Sequence, residues 1–363
     1  MVLSMSFPLL LLCFLISVWR SFYIDPGSVE SAKRLVIQHR VSLISPLPAY
    51  YREEIRKVPG VVHVIPMSWF GGIYRDSKPE NFFARFGTDP EEFFDTYREL
   101  SIPPDQEQSW KKDRAGAVAD VELANKYGWK IGDRIMIKGD IYPMTLELTV
   151  RGLFTSPVLN RTLYFNWKYA EEATVFAKGK VGTIELLVGS PQDVDRVSMA
   201  VDDMFSNAPE PTRTQSQRAY QLSFISMLGN VKAFILTISA AVVFTTLLVA
   251  GNTMAMSTRE RTREVAVLKT LGFRRQTILG LLVGEGALMS LMGGVGGSLA
   301  ALGLVIAMAH SPQQTFFLGV QRQWVHAALP VCWIAAGLGS LSAFVPAYYA
   351  SRIGIVEGLR HTG

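Results

Sequence analysis

Apolar residues follow two rhythms along this chain. Near the start and over the last third they form long runs. Between these they recur with the short periods of strands and helices that fold in water. Residues 2–19, centred on LLLLCFLI at 9–16, have about the minimum length for a bilayer span. A signal peptide is the competing reading. The stretch lacks a basic leading region and a small-x-small cleavage site, and Trp19-Arg20 follows directly, which favours an uncleaved span. The missing basic flank is unusual for a first span and points to a truncated or misplaced start. Further runs cover 231–250, 277–309 and 327–350. The run at 277–309 exceeds the bilayer thickness, so that helix should tilt or protrude.

Residues 25–218 hold no run long enough to span and are numerous enough to build their own core. Residues 49–57 read as a helix with Tyr51, Ile55 and Val58 on one face, stopped by Pro59-Gly60. Residues 61–65, dense in β-branched side chains, read as a strand. Asp89 as N-cap and Pro90 at the first helical position open a second helix. Asp120 caps a third, which runs through Lys126 and ends at Gly128. Strands at 134–138 and 146–151 form a hairpin across Gly139-Asp140, and 183–188 is a further strand. Pro191 begins a helix with Val194, Val197, Val201 and Met204 or Phe205 inward. Mixed hairpins and helices predict an α+β domain.

Residues 215–230 are amphipathic and run without punctuation into the second apolar run. Stalk and span, 219–251, therefore read as one continuous helix able to pass on rotation or bending. A charged helix at 257–272 follows. Ser257 and Glu260 have capping-box spacing, and Gly272 stands where a left-handed C-cap is wanted. Lys269, Arg274 and Arg275 suit the negative end of its dipole. Val265 and Leu268 share a face with Leu271 close by, while Arg259 with Arg263 and Glu260 with Glu264 form i,i+4 rows elsewhere. Basic residues crowd this loop, whereas Arg322 is the basic residue of the loop at 310–326. The charged helix is therefore expected in the cytoplasm and the second loop outside. The tail at 351–363, with Arg352 and Arg360, is expected inside, residues 25–218 outside and the N-terminus inside. A capped basic helix at that surface is the natural place for a soluble partner to push.

Composition agrees with a mixed protein. The 363 residues are 49% hydrophobic and 18% charged, too apolar for an ordinary soluble protein and too charged for membrane throughout. The net charge of +5 is explained by the inner flanks of the spans. No basic stripe interleaved with aromatics is present, so nucleic acid is not expected as a partner. Cys13 and Cys332 lie in apolar segments and read as lipid-buried small hydrophobes. There is no GxxxxGK[ST] loop, no HExxH and no GxSxG; the five histidines are scattered and no carboxylate pair stands out. No catalytic residue and no metal ligand is assigned.

Two features inside the third span carry weight. Gly293, Gly297 and Ala301 fall four apart, as do Gly286, Ser290, Gly294 and Ser298, the spacing that lets helix backbones approach in lipid. Packing within one subunit and an interface between two permease subunits are both open readings. Glu285 stands within the span, where an ionisable group is costly unless paired. A proton or substrate relay is one reading. No other acid lies along the spans, so a structural contact to a neighbouring helix or an inner-surface basic residue is favoured.

Several of these stretches resemble one family. Arg261 with REVAVLKTLGF at 263–273, followed by Ile278 and Glu285, resembles the signature of FtsX-like ABC transporter permeases, roughly R-x-R-E-x-A-x-L-x-A-L-G-A before a membrane glutamate and a glycine-rich helix. PAYYASRIGIVEGLR at 346–360 is similar to the family ending P-A-x-x-A-x-R-x-x-P-x-E-A-L-R. ANKYGWKIGD at 124–133 resembles a turn of MacB-like core domains. Tyr348-Tyr349 replace the usual basic pair, Ile355 stands where proline is common, and the family's N-terminal amphipathic helix is absent.

The resemblance implies four transmembrane helices plus one α+β extracytoplasmic domain, MacB-like, between the first and second, in a bacterial inner membrane. It implies a mechanotransmission-type ABC system with ATP and Mg on a separate cytoplasmic ATPase dimer. The ATPase would be engaged by the coupling helix, with Arg259, Glu260, Arg261, Arg263, Glu264, Val265, Leu268, Lys269, Leu271 and Gly272 as its site residues. A second permease subunit, membrane lipid and, for export, a periplasmic adaptor are the other expected partners. A lipoprotein, a drug or peptide, and a lipid are all open as cargo. The rivals are a division-type regulator signalling to a cell-wall enzyme and a membrane-anchored sensor without an ATPase.

Overall fold

The computed structural model describes residues 2–23, 31–42, 44–78, 81–140, 143–156, 161–173, 178–227, 229–309 and 315–354. In chain order it begins with α1 (Val2–Tyr23), β1 (Arg34–His39), β2 (Leu47–Pro48), α2 (Tyr51–Ile55), β3 (Val61–Trp69), β4 (Gly72–Ile73) and β5 (Ala84–Thr88). Then come α3 (Phe93–Thr96), α4 (Pro104–Lys112), β6 (Gly116–Asp120), α5 (Val121–Tyr127), β7 (Arg134–Gly139), β8 (Thr145–Phe154), β9 (Thr162–Asn166) and α6 (Trp167–Ala173). β10 (Lys180–Val181), β11 (Thr183–Val188), α7 (Val194–Met204), β12 (Thr212–Ser216) and α8 (Gln217–Met227) complete the middle region. α9 (Val231–Glu260), α10 (Thr262–Thr270), α11 (Arg275–Ala309) and α12 (Thr315–Ala350) follow. The chain divides into two units, residues 26–227 and the remainder.

The first unit is α+β. Its ten-stranded sheet has the order β12-β1-β11-β3-β5-β9-β6-β8-β7-β4. Among the described residues only β5–β9 and β6–β8 pair in parallel. The hairpin expected from the alternating pattern is β7–β8, with Arg134 opposite Thr149. Asp120 caps α5 by accepting from the Glu122 amide, and Gly128 ends it at φ +72°. α2 buries Tyr51 and Ile55, and Tyr51 stacks on Phe205 at 3.9 Å. On α7, Val197 and Val201 point inward together with Phe205, whereas Met204 is exposed.

The helix expected after Asp89 is a single turn, α3, starting four residues later. The Asp89 carboxylate accepts from the Glu91 amide and pairs with Arg52, which spends it on a local turn. The strands β1, β5, β6, β9 and β12 were not anticipated. Most are short and buried along their length, so they lack the alternation that marks a half-exposed strand.

The second unit packs α1, α9, α11 and α12 side by side. Met5, Leu9, Leu12 and Cys13 of α1 meet Ala250, Ala301, Val331 and Ala335 in one cluster. α9, α11 and residues 324–350 of α12 are long and apolar enough to cross a membrane; α1 has a shorter apolar stretch, Met5–Ser21. Two expectations are corrected. The stalk and span are not one helix: α8 ends at Met227, Gly229 takes φ +96°, and the Asn230 side chain caps α9 through the Ala233 amide. An asparagine N-cap directly after a left-handed glycine is punctuation that apolar periodicity hides. Residues 315–326 of the expected loop are the first turns of α12, while 310–314 lie outside the described residues. Residues 355–363 of the expected tail also lie outside them.

Candidate coupling site

α9 does not stop at Ser257. It continues to Glu260, and Arg261 (φ −99°, ψ 17°) makes the corner into α10, which has no side-chain N-cap. The Ser257/Glu260 capping box is therefore unused. The threonine hydroxyls at this corner turn back instead: Thr258 donates to the Met254 carbonyl and Thr262 to that of Arg259. At the other end the Phe273 amide donates to Leu268 O and the Gly272 amide to Lys269 O, both at 3.1 Å. With Gly272 at φ +89° this is a Schellman stop.

Starting the helix at Thr262 sets its faces. Thr262, Val265 and Ala266 are buried, so Val265 is not part of an outward strip with Leu268 and Leu271. Val267, Leu271 and Phe273 supply the exposed apolar surface, and Leu268 is half-buried. Arg259, Glu260, Arg263 and Glu264 are exposed and make no ion pair among the described residues.

Arg261 behaves differently. Its Nη1 donates to both oxygens of Glu285, at 2.7 and 2.8 Å. The glutamate lies ten residues into α11, about 15 Å along the axis at the usual helical rise. A long arginine at the α9–α10 corner thus reaches the acid that the apolar helix could not carry alone.

Comparison with known proteins matches this chain twice. The FtsX-like permease C-terminal family matches residues 236–355, and the MacB-like periplasmic core domain family matches residues 16–204. The chain is an ABC transporter permease of the MacB/FtsX type. An uncharacterized ABC transporter permease of Methanocaldococcus jannaschii, MJ1507, is 23% identical over 332 residues, covering 87% of this chain and 81% of that one. The macrolide export ATP-binding/permease protein MacB of Nitrobacter winogradskyi is 32% identical over 124 residues, 33% of this chain and 18% of that protein. The periplasmic region of MacB from Actinobacillus actinomycetemcomitans has 11% identity and a TM-score of 0.40, covering 56% of this chain and 97% of that one.

In this permease the small residues of α11 are used within the chain. A Cβ on Gly286 would lie 2.7 Å from Ala343 Cβ, and one on Gly294 would lie 2.8 Å from Ala335 Cβ, both on α12. One on Gly297 would meet the Ser6 carbonyl of α1 at 2.6 Å. Gly293 is buried, Ser290 is buried beside Met5 Sδ, and Ala301 joins the cluster against α1. Among the described residues no group of histidine, cysteine or acidic side chains could hold a metal ion.

Sequence reasoning missed a buried constellation in the α+β unit. Arg34, fully buried at the start of β1, donates to both Glu99 oxygens at 2.8 Å and to Gln217 at 3.1 Å, and lies 3.7 Å from the Tyr97 ring centre. The Tyr97 hydroxyl donates to buried Glu185. Burial raises the Glu185 carboxyl above its ordinary range, against the opposing hydrogen bond from Tyr97 and the charge of Arg34. Tyr97 is pushed well up by burial, then by Glu185, and Tyr220 is pushed up to about 12 by the same two causes. An arginine directly before the apolar run Leu35-Val36-Ile37 was the available signal, but its partners lie up to 183 residues away.

Proposed function

We propose that this chain is the membrane subunit of an ABC complex in which a separate ATPase dimer, holding ATP and Mg, works against α10. The movement passes through the helix bundle to the α+β domain, which exports or extracts a substrate on the outer side. α1, α9, α11 and α12 are then four spans, with the α+β domain between the first two. On this reading α10 faces the cytoplasm, as the charge asymmetry of the loops favours, and the membrane is the bacterial inner membrane.

The observation that carries this reading is the anchoring of α10. A nine-residue helix is held at one end by Arg261 on Glu285 and at the other by the Gly272 stop, and it turns exposed charges and Val267, Leu271 and Phe273 outward. A push on such an element displaces α9 and α11 rather than bending the helix itself. The helix is interrupted at Gly229 between α8 and α9. The macrolide-export relative is named as an ATP-binding/permease protein, which supports the pairing of ATP binding with a permease of this type.

The test is the triple variant Arg259→Glu, Arg263→Glu, Glu264→Lys in the native host. Insertion and melting temperature should be unchanged, whereas co-purification of an ATPase and stimulation of its hydrolysis should be lost. Unchanged co-purification and hydrolysis would reduce α10 to a surface connector. Orientation is checked by labelling Ser77→Cys and Thr270→Cys, both exposed, from outside sealed cells; only the first should react.

A further inference from the structure

Where α10, α11 and α12 meet, two arginines lie over one aromatic ring, and a lysine stands close enough to one of them to feel its charge. Tyr348 lies in the last turn of α12. The Arg275 guanidinium is 5.1 Å from its ring centre and that of Arg352 is 4.5 Å away. Arg275 opens α11, and its Nε donates to Oγ of buried Ser351 at 3.2 Å. Lys269, in the last turn of α10, donates its Nζ to the Ile353 carbonyl.

These contacts orient the cations without neutralising them. Among the described residues none of the three has a carboxylate partner, and the terminal nitrogens of both arginines make no hydrogen bond. Burial, then the charge of Arg275, holds Lys269 below the ordinary lysine range, as expected where like charges crowd together. A planar guanidinium with free terminal donors is suited to bidentate capture of a phosphate.

The surroundings select the kind of phosphate. Directly along α12 from Tyr348 lie exposed Leu341, Phe344 and Val345, and α11 exposes Leu281 and Leu288 beyond Arg275. A ligand that satisfies both zones is anionic at one end and apolar along its length. Inorganic phosphate lacks the second part, and an acidic protein segment would leave the apolar faces uncovered.

We propose that Arg275 and Arg352, both over Tyr348, together with Lys269 on the Ile353 carbonyl, form a headgroup site for an anionic phospholipid at the α10 end of α11 and α12. The proposal rests on the reading that both helices span the membrane, and not on any ATPase.

The full chain purified in neutral detergent is exposed to equal amounts of phosphatidylglycerol and phosphatidylcholine, and retained lipids are counted by native mass spectrometry. The wild type should retain phosphatidylglycerol preferentially. Arg275→Gln with Arg352→Gln should reduce that preference roughly 25-fold, since each basic group near a membrane surface contributes about a factor of five to anionic lipid binding. Arg259→Gln with Arg263→Gln, which removes equal charge from the exposed side, should keep it. If the first double variant aggregates, Arg352→Gln alone serves, because that side chain is exposed and makes no hydrogen bond among the described residues. Equal preference in wild type and variant would overturn the proposal. So would displacement of the lipid by millimolar inorganic phosphate, which would mark a free-phosphate site. Loss of ATPase co-purification with lipid retention unchanged would mark a protein-docking surface instead. Lipid retention is read without an ATPase, so the coupling assignment can fail while this one stands.

Discussion

The two units of this permease are held together by opposite means. The α+β unit fills its interior with large side chains: Trp110, Phe93, Phe154, Phe165 and Tyr51 are all fully buried. The helix bundle buries Met5, Leu9 and Leu12 of α1 but turns its aromatic side chains outward and fills much of the remaining interior with small residues. Phe234, Phe244, Leu288, Trp333 and Phe344 are exposed, while Ala301, Ala327, Ala335, Ala343 and Ala347 are fully buried. In water, burying apolar area is what stabilises a core. In lipid that drive is absent between helices, so close backbone approach and a few polar contacts must serve. The comparison extends to charge. The α+β unit buries Arg34 completely and leaves only 18% of the Glu99 side chain accessible, whereas the Arg261–Glu285 pair of the bundle keeps 41% and 29% of its side chains accessible.

Removing bulk should separate the two units most clearly. Trp110→Ala deletes an aromatic packed against Phe93 and Phe94 and the donor to Gly116 O, so it should destabilise the α+β unit by about 3–5 kcal/mol. Denaturant unfolding of the full chain in detergent measures this, and a loss under 1 kcal/mol would contradict a tightly packed core. Arg34→Met leaves Glu99 and Glu185 without their cation, at a similar cost of about 3–5 kcal/mol. Adding Glu99→Leu should recover most of that loss; a pair of neutral substitutions no better than the single one would show that the arginine packs rather than pairs.

Adding bulk should hurt the bundle. Gly297→Val places a methyl-bearing carbon against α1 backbone, which cannot swing aside, at a cost of roughly 1–3 kcal/mol. Thermal unfolding in detergent should show the lowered transition, while the same substitution at open Gly303 should be tolerated.

Two charge substitutions sharpen the contrast at smaller amplitude. Because the folded Glu185 carboxyl is raised above its unfolded value, the folded state holds the extra proton. Stability is then greatest below the ordinary carboxylate range and falls as pH rises through the raised value. Glu185→Gln should therefore stabilise the unit at neutral pH and make little difference in acid. Melting temperatures across pH measure the gap, and a gap that widens in acid would reverse the sign. Glu285→Gln keeps an acceptor for Arg261 at a partly accessible site, so it should cost about 1 kcal/mol or less and leave ATPase stimulation largely intact. Abolished stimulation in a well-assembled variant would point to a titrating relay.

What the sequence determined by itself was local. The cap at Asp120, the left-handed stops at Gly128 and Gly272, the β7–β8 hairpin and the apolar runs are each written within a few consecutive residues, because capping, turn geometry and apolar periodicity act over one or two turns. The tertiary structure alone decided what depends on distant neighbours. It placed β6 between β9 and β8, gave Arg34 its partners Glu99 and Gln217, and spent the α11 glycines on α12 and α1. It also joined Arg261 to Glu285, two residues that the sequence marked separately. Tyr348 is the sharpest case. In the sequence it was a departure from a basic pair; in the fold its ring holds two arginines from opposite ends of neighbouring helices, a meeting that no local pattern specifies.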